Sequence, residues 1–382
     1  MESFKINYIM YGTSRTGGTR TLLNFMNELV KLGHEVSLTT MSYDNWFPLS
    51  KDVKIITPRS KIDLFYVQGI QFLQKNNIIA KNFAFLNKLM SIVPKVDINV
   101  ATFSPTAYIA SWKSTDGSTP FYHMQHLETI MTNDLIMKKF ISDTYFLPVY
   151  KVANSIWLRD RLIELTGKKH VIVNPAIEHD IFYRRSREKG NPNNFEDVIN
   201  IVALGKGGWK NAFGIYQAVN NVRKIKSKKK IILHYFGSSP PSTIPFDNKL
   251  TIFHKNLTDD QLANLYCNSD IQITFSTAES FPLPPIESMA CGCSVITTPF
   301  GTEDYASDGE NALIVEPGNL EMLTNKIQTL IENEQLRTKL IENGIKTASL
   351  YYYSKQTKIL EVEFKRALEE REKEYRNLKF KS

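Results

Sequence analysis

The fold is decided by the stretch Asp270–Phe300, which reads DIQITFSTAESFPLPPIESMACGCSVITTPF. Apolar and polar residues alternate over its first six positions, which predicts a strand. Pro284 and Pro285 then predict the first turn of a helix, because the missing N–H of proline costs nothing there. Gly292 is suited to the end of that helix, and Ser294–Thr298 predicts the next strand. The stretch is therefore expected to be a strand–helix–strand unit of an α/β protein.

Two carboxylates, Glu279 and Glu287, stand on either side of the predicted strand-to-helix turn. Free backbone N–H groups and the positive end of the helix attract a phosphate or a developing anion at Leu283–Ile286. Glu287, one turn further on, can accept hydrogen bonds from a ribose diol. Glu279, in the loop, can reach a sugar hydroxyl or a charge forming near the anomeric carbon. An anion site between two such carboxylates predicts a pocket for a nucleotide sugar.

The run ESFPLPPIESMACG, residues 279–292, resembles the E-x7-E motif of the retaining glycosyltransferases of family 4, whose fold is GT-B. The whole run carries the resemblance, because two glutamates at this spacing would also occur on an ordinary αβ unit. Pro282 stands where many members of the family have glycine, which removes one amide from the anion site. The resemblance then implies that the amides of Phe281 and Leu283 bind the donor.

The resemblance extends over nearly the whole chain and implies two Rossmann-like α/β domains that face each other across a cleft. Residues 1–175 would form the acceptor-side domain, and residues 176–350 the domain that binds the nucleotide sugar. Residues 351–382 are predicted to be a long exposed helix, because 356–382 carry charged pairs at i,i+4 spacing. These pairs are Glu361–Lys365, Glu369–Lys373 and Glu372–Arg376. In relatives this helix crosses back to the first domain. Asn174-Pro175 interrupts regular structure at the expected crossing, and the nearby Glu178-His179-Asp180, which looks like a metal-binding D-x-D, is interpreted as structural.

The first domain is predicted to open with a strand over Lys5–Tyr11 and a flexible, glycine-bearing loop over Gly12–Thr19. The family has a Gly-Gly loop here that approaches the donor phosphate or the acceptor. The resemblance therefore implies that Gly17 and Gly18 line the donor site. A plain glycine turn is the alternative.

A second strand of this domain, predicted over Phe121–Gln125, leaves His126 at its carboxyl end, where α/β sheets bind ligands. Relatives have a histidine after this strand that faces the donor sugar, so the resemblance gives His126 a catalytic role. His123 lies within the strand and is expected to point elsewhere. The alternative for His126 is that it caps the next helix.

The second domain is predicted to begin with the strand Ile199–Leu204 and a glycine-rich loop that carries Gly205, Lys206 and Lys210. Relatives have an arginine and a lysine around this loop that clamp the diphosphate, which implies the same role for Lys206 and Lys210. Lys206 replaces the usual arginine, and a lysine lacks the bidentate fork of a guanidinium. Gly205 would line the donor site. Solvated loop lysines are the alternative interpretation.

The reaction implied is retaining transfer of a hexosyl or deoxyhexosyl group from a nucleotide-diphosphate sugar to a hydroxyl acceptor. The diphosphate would leave on the face that the acceptor attacks, stabilised by Lys206 and Lys210. Glu279 and His126 would hold the sugar and Glu287 the ribose. No metal and no cofactor other than the donor substrate is expected, because lysines can neutralise the diphosphate. The acceptor is a glycan, a glycolipid or a small hydroxyl compound, in keeping with surface polysaccharide or glycolipid synthesis.

Two other kinds of function stay open at this point. One is a different reaction on the same fold, such as that of a phosphorylase or a sugar-nucleotide epimerase; no pyridoxal-binding lysine context is found for the former. The other is a non-catalytic subunit that binds a sugar nucleotide within a larger glycosylation complex.

The charge balance is basic, since 47 Lys and Arg against 39 Asp and Glu give a net charge of +8. This favours an anionic ligand or an anionic membrane surface, and nucleic acid is not expected because no basic block or nucleic-acid module is found. Residues 60–97 are predicted to be helical, with an apolar face opposite a lysine-bearing face. Burial of that face against the protein's own sheet is the favoured interpretation, and peripheral contact with an anionic membrane is the alternative.

The three cysteines, Cys267, Cys291 and Cys293, are too few and too unevenly placed for a disulfide scaffold, which favours a reducing compartment. No apolar run reaches the roughly 18 residues of a membrane helix, and no signal pattern is found. The expected location is cytoplasmic, with peripheral contact at the inner membrane face as a weaker hypothesis.

Overall fold

The structure is a computed structural model that describes residues 3–58, 80–186, 198–225 and 229–379. The chain forms two compact units, Met1–Asn174 together with Tyr353–Ser382, and Pro175–Tyr352. Each unit contains one parallel sheet with helices packed on it, so the predicted α/β fold class is confirmed.

The first unit has a seven-stranded sheet with the order β3-β2-β1-β4-β5-β6-β7. All neighbouring strands are parallel, and the register pairs Ile9 of β1 with Thr39 of β2 and with Ala101 of β4. The strands are Lys5–Gly12 (β1), Glu35–Ser42 (β2), Lys54–Ile56 (β3), Ile98–Ala101 (β4), Thr119–Met124 (β5), Tyr150–Ala153 (β6) and Val171–Ile172 (β7). The order reverses between β1 and β4, which makes the carboxyl ends of these two strands the switch point of the sheet.

The helices of the first unit connect parallel strands, as βαβ crossovers require, except for the last one, which follows the second unit in the chain. They are Gly17–Lys31 (α1), Ala80–Ile92 (α2), Ser104–Lys113 (α3), Leu135–Thr144 (α4), Ile156–Thr166 (α5) and the last helix of the chain, Tyr353–Lys379 (α11). Two short 3₁₀ turns lie at Ser114–Asp116 and Glu128–Met131.

The loop after β1 is shorter and more firmly held than predicted. Helix α1 begins at Gly17, because the Thr16 side chain caps it by accepting a hydrogen bond from the Thr19 N–H at 3.2 Å. The remaining loop is tied to the segment after β2: Thr13 Oγ1 accepts from the Asp44 N–H at 2.6 Å, and the Trp46 indole N–H donates to the Thr13 carbonyl. The prediction of a flexible loop extending to Thr19 is therefore wrong.

Helix α11 is one-sided rather than exposed all round, which corrects the prediction for the C-terminal residues. One face is buried within the first unit, where the Phe364 ring meets the Phe121 ring of β5 at 4.7 Å. The predicted i,i+4 ion pair between Glu361 and Lys365 is present on this helix at 2.7 Å. The charge pattern predicted this ion pair, although Glu361 is buried, and the apolar positions between the charges decided where the helix lies.

The second unit has a six-stranded parallel sheet with the order β10-β9-β8-β11-β12-β13. Its strands are Val198–Leu204 (β8), Lys230–Gly237 (β9), Thr251–Lys255 (β10), Ile271–Ile273 (β11), Ser294–Thr297 (β12) and Leu313–Ile314 (β13). Its helices are Ala212–Lys224 (α6), Asp259–Cys267 (α7), Leu283–Cys291 (α8), Leu320–Glu332 (α9) and Glu334–Ala348 (α10). Successive residues of β8 enter different buried clusters, Ala203 on one face of the sheet and Val202 on the other, so both faces are covered.

The stretch that decided the fold has the predicted strand–helix–strand form. Helix α8 begins at Leu283 after Pro282, so its prolines fall in the first turn, and Gly292 ends it in the left-handed region at φ +91°. The strand β11 is shorter than predicted and covers Ile271–Ile273. Part of the segment 60–97, which was predicted to be helical, lies outside the described residues.

Candidate active site

The second unit places two loops at the switch point of its sheet. Strand β8 lies between β9 and β11, so the chain goes from β8 to one side and later returns to the other. In such sheets ligands bind in the crevice outside the carboxyl ends of the strands at this point. The loop after β8, residues 205–211, carries Lys206 and Lys210, and the loop after β11, residues 274–282, carries Glu279. Topology therefore brings together residues that are far apart in sequence.

Lys210 and Glu279 form an ion pair across these two loops. The Lys210 Nζ contacts Glu279 Oε1, and the side chains are only 19% and 8% exposed. The loops are joined a second time, because the Thr277 N–H donates to the Trp209 carbonyl at 2.8 Å. A nearly buried charge that loses its partner is costly, so each of the two groups holds the other in place. The pair places one cation and one carboxylate at the carboxyl ends of β8 and β11.

Lys206 contacts a different group of the same loop. Its Nζ lies 4.9 Å from the centroid of the Trp209 ring, a cation–π geometry, and the residue is exposed. Gly205 is buried, and a Cβ at this position would lie 2.8 Å from the Phe253 ring. Packing against Phe253 at the carboxyl end of β8 therefore requires glycine at position 205, whether or not Gly205 also binds a ligand.

The N-terminus of helix α8 adjoins the ion pair. Pro282 precedes the helix without a side-chain cap, and Leu283 is the only residue of positions 282–285 that has an N–H. A small recess, partly open to solvent, is bounded by residues of all these elements. Its lining residues are Leu204, Lys210, Ile215, Ile273, Thr274, Ser276, Glu279, Pro282 and Pro284.

Three of the predicted donor-binding residues lie within or beside α8 and are largely buried. Phe281 is 7% exposed, Leu283 8% and Glu287 3%. Glu287 lies one turn before Cys291 on the helix. A hydrogen bond with Cys267 and burial raise the pKa of the Cys291 thiol, with smaller contributions from Cys293 and Glu287. The Cys291 thiol is therefore a protonated packing group rather than a nucleophile.

A third loop supports the Glu279 loop from the side of β12, and the sequence reasoning missed it. The Thr298 hydroxyl donates to the Ser276 carbonyl at 2.9 Å, and the Tyr305 hydroxyl donates to the Pro282 carbonyl at 2.8 Å. Gly301, at φ +68°, lies so close to Ser280 that a Cβ would be 2.2 Å from its carbonyl oxygen. Burial, and next the Glu279 carboxylate, raise the pKa of Tyr305, so its hydroxyl remains a donor at neutral pH. A glycine and a tyrosine at these positions carry no local sequence signal for such a contact.

The remaining predicted residues belong to the first unit. Gly17 and Gly18 form the first turn of α1 at the carboxyl end of β1, where a Cβ on Gly18 would meet Gln125 only at an ordinary 3.8 Å. His126 follows β5 and is half-buried, with its ring 6.1 Å from that of Trp157. His123 lies inside β5 against Phe25, and burial lowers its pKa to about 3.

Two negative findings apply to the part of the chain that the structure describes. In it, no group of three or more His, Cys, Asp or Glu side chains is arranged to hold a metal ion. None of the helices among those residues combines the length and apolar character needed to cross a bilayer. His179, from the sequence that looked like a metal motif, instead stacks on the Tyr352 ring at 4.1 Å.

Part of the second unit matches a known family. Residues 208–347 match the family described as glycosyl transferases group 1. The matched part includes Lys210, Glu279 and helix α8. An uncharacterized glycosyltransferase of Methanocaldococcus jannaschii is 26% identical over 60% of this chain and 65% of its own length. The N,N'-diacetylbacillosaminyl-diphospho-undecaprenol alpha-1,3-N-acetylgalactosaminyltransferase of Campylobacter jejuni is 26% identical over 40% of each chain. The matches thus span less than two thirds of either relative.

Solved structures have the same fold over almost the whole chain. Sucrose-phosphate synthase from Thermosynechococcus elongatus superimposes with a TM-score of 0.71 at 15% identity, covering 99% of this chain and 100% of that one. The Anabaena protein HepE, in complex with UDP and glucose, gives a TM-score of 0.72 at 13% identity, covering 95% and 99%. The fold is GT-B, and together with the family match and the relatives it supports a GT-B glycosyltransferase.

Proposed function

We propose that the protein is a retaining, metal-independent glycosyltransferase of family 4 that moves a hexosyl or deoxyhexosyl group from a nucleotide-diphosphate sugar to a hydroxyl acceptor. The observation that carries this proposal is the Lys210–Glu279 ion pair at the switch point of the second unit, beside the uncapped start of α8. A nucleotide sugar has the matching groups: a diphosphate for the cation and the helix end, and sugar hydroxyls for the carboxylate.

In the proposed complex the donor diphosphate binds the Lys210 ammonium in place of Glu279. Glu279 then loses its ionic partner and accepts hydrogen bonds from the transferred sugar instead. Lys206, held over Trp209 at the exposed side of the loop, supplies a second counter-charge. The Phe281 and Leu283 amides bind a phosphate oxygen, Glu287 holds the ribose, and Gly205 allows close approach. The predicted roles of Gly17, Gly18 and His126 toward the donor phosphate and sugar remain part of the proposal.

The bond changes follow from this arrangement. The bond between the anomeric carbon and the diphosphate oxygen breaks, and a bond to the acceptor oxygen forms on the same face. The acceptor's proton passes to the departing phosphate, which Lys206 and Lys210 stabilise as its charge grows. Electrostatic stabilisation of this kind is usually the largest single contribution to such catalysis. Lysines in place of a metal ion make the proposed enzyme independent of divalent cations.

The comparisons support a role in surface polysaccharide or glycolipid synthesis. The Campylobacter relative is named for transfer to a diphospho-undecaprenol-linked sugar, and the HepE structure holds UDP and glucose. We accordingly propose a glycan or lipid-linked acceptor and a uridine nucleotide as the first donor to examine, with a small hydroxyl compound as a further acceptor class.

We further propose a cytoplasmic protein that makes peripheral contact with an anionic membrane. Support comes from the net charge of +8 and from an exposed apolar tip after β5, formed by Ile130, Met131, Leu135 and Ile136, with Lys138 and Lys139 directly beside it. Binding to phosphatidylglycerol-containing vesicles should exceed binding to neutral ones and should weaken with salt, since exposed charges are screened beyond about 10 Å at 0.1 M. The double variant Leu135→Gln, Ile136→Gln should lose it, whereas Val362→Gln, on the exposed side of α11, should not. Equal, negligible sedimentation with both vesicles at low salt would remove this part of the proposal.

The decisive experiment measures nucleoside diphosphate release from a panel of UDP-, GDP- and ADP-sugars, with and without acceptor extracts, in buffer containing EDTA. Acceptor-dependent release with a product of retained anomeric configuration, seen by NMR, is the expected result. Donor binding without any turnover would instead favour a non-catalytic subunit, and conversion of the donor sugar without acceptor would favour an epimerase. Lys210→Ala serves as the inactive control.

A further inference from the structure

The two ends of the second unit are bonded to each other at Tyr351. The unit begins at Pro175 and ends at Tyr352, so the segments just inside these limits are those through which the chain enters and leaves it. The Tyr351 carbonyl accepts from the Ile177 N–H at 3.3 Å and lies 3.0 Å from the His179 Nε2. Entry and exit segments are therefore hydrogen-bonded to each other, with Ile177 buried and with His179 and Tyr351 half-buried.

The side chain of the same tyrosine reaches the loop that precedes helix α8. Its ring centroid lies 5.9 Å from that of Phe281 and 6.2 Å from that of Tyr305, and the latter two rings are 5.1 Å apart. The Tyr351 hydroxyl donates to the Asp304 carbonyl. We call Phe281, Tyr305 and Tyr351 the aromatic bridge, because they connect the ends of the unit with the Glu279 loop.

The bridge acts on one peptide group in particular. The Tyr305 hydroxyl donates to the Pro282 carbonyl at 2.8 Å. The Pro282 carbonyl and the Leu283 N–H belong to the same planar trans peptide, so fixing the oxygen also fixes the direction of the N–H. Leu283 N–H is the first donor of α8 and is followed by two prolines, so no neighbouring amide of that turn can replace it.

We propose that Tyr305 and Tyr351 are positioning residues, which aim the Leu283 amide at the donor diphosphate and couple occupation of the donor site to the order of the entry and exit segments. This inference rests on the proposed function, since it assigns new residues to the same site. Neither tyrosine need touch the substrate. Each acts through a backbone carbonyl, and Gly301 permits this because any side chain there would displace the Ser280 backbone.

The coupling has a physical direction. A diphosphate bound at Leu283 restrains the Pro282 peptide, and hence the Tyr305 hydroxyl and the rings packed on it. Tyr351 is restrained with them, and its carbonyl holds the Ile177 N–H. Bound nucleotide is therefore expected to slow amide exchange in residues 176–182, although these residues are not in the recess.

The test uses the full chain, UDP as the probe, and the variants Tyr305→Phe and Tyr351→Phe, which remove one hydroxyl each and keep the rings. Tyr108→Phe is the matched control, because its hydroxyl also donates to a backbone carbonyl, that of Phe140, in the first unit. We expect Tyr305→Phe to bind UDP about fivefold or more weakly, as loss of one hydrogen bond implies, with a lower kcat. In wild type, UDP should slow hydrogen exchange at 176–182, and both bridge variants should lose most of that protection while Tyr108→Phe keeps it.

The outcomes separate this inference from the function on which it rests. Wild type that binds no nucleoside diphosphate and turns over no donor would overturn both. Wild type that binds UDP, with bridge variants that match it in affinity and in exchange protection, would overturn the inference alone. Bridge variants that melt lower but bind and respond as wild type would give the two tyrosines a purely structural role, which also contradicts it.

Discussion

The two units have a switch point in the same place of their sheets but different side chains around it. Each sheet has a switch point beside its first strand, and at each one a carboxylate lies near a helix start. In the second unit Glu279 pairs with Lys210, and helix α8 starts without a side-chain cap. In the first unit Glu128 itself accepts from the Ser104 N–H at the start of α3, at 2.9 Å, and from the Tyr122 hydroxyl at 2.7 Å. The start of α3 is occupied by the chain's own carboxylate, whereas the start of α8 has no side-chain cap and is the place where we propose that an external anion binds.

This difference shows that strand order fixes where a helix start lies beside a carboxylate, and that the side chains determine whether that helix start is available to a ligand. A helix start attracts negative charge wherever it lies, so a protein either fills it or leaves it to a ligand. Burial raises the pKa of Glu128 to about 7, against the lowering effect of its hydrogen bonds with Ser104 and Tyr122, which is typical of a carboxyl group closed off from solvent. The Lys210–Glu279 pair, in contrast, contains a cation that a phosphate can bind in place of Glu279. We expect four perturbations to test this contrast.

The largest effect is expected for Lys210→Ala. Losing a charge-assisted contact at the leaving phosphate should raise the activation barrier by about 2–4 kcal/mol, lowering kcat/KM by roughly 30- to 1,000-fold. The variant also leaves Glu279 without its cation, so the free energy of unfolding should fall. The double variant Lys210→Met, Glu279→Gln should regain stability without activity. Recovery of both would mean that the pair serves the fold alone, and steady-state rates beside urea unfolding measure the two quantities.

Glu128→Gln should remove a pH dependence of stability. A carboxyl group whose folded pKa is about 7, against 4.5 unfolded, binds its proton more tightly when folded. Its contribution is therefore fully present below pH 4.5 and is lost as pH rises through 7, a fall of about 3 kcal/mol in the free energy of unfolding. The uncharged variant should lack this fall. Its free energy of unfolding in urea titrations should therefore increase relative to that of wild type from pH 5 to 8. Parallel curves for the two proteins would contradict a closed, proton-binding Glu128.

Substitutions of the two glutamates of the motif should have different effects, one on nucleotide affinity and the other on turnover. Glu287→Gln should weaken binding of the free nucleoside diphosphate by about 1.5–3 kcal/mol, because a neutral amide poorly replaces a carboxylate acceptor. Glu279→Gln should bind the diphosphate nearly as well as wild type and mainly lose turnover, since its partner in the complex is the sugar. Calorimetry with the diphosphate and rates with the sugar nucleotide distinguish the roles. The reverse pattern would mean that the orientation of the donor in the recess is opposite to the one proposed.

The smallest effect on stability is expected for Gly18→Ala. Space is available at this helical position, and alanine is the better helix former by about 0.5–1 kcal/mol, so the melting temperature should stay or rise. Turnover should nevertheless fall if the backbone at Gly18 meets the donor closely. Gly301→Ala is the contrasting variant, because its Cβ has no room and its φ is positive. Unchanged rates for Gly18→Ala would remove Gly18 from the donor site.

The sequence alone determined those features that depend on neighbouring residues. The prolines and Gly292 set the start and end of α8 in the predicted places, and a Thr258–Gln261 capping box sets the start of α7 at Asp259. Such signals act over three or four residues, so no knowledge of the fold is needed. The motif was enough to place Glu279 and Glu287 around one turn, and their assigned roles remain predictions.

Only the tertiary structure decided which of these groups meet. The Lys210–Glu279 pair joins residues separated by 69 positions, and the aromatic bridge joins three segments of the second unit. The same holds for the loop before α1, because Trp46, which holds Thr13, comes from a distant part of the chain. The start of α1 at Gly17, by contrast, is set by the local Thr16 cap. Contacts between distant segments depend on strand order and side-chain packing, and neither has a signature in the residues nearby.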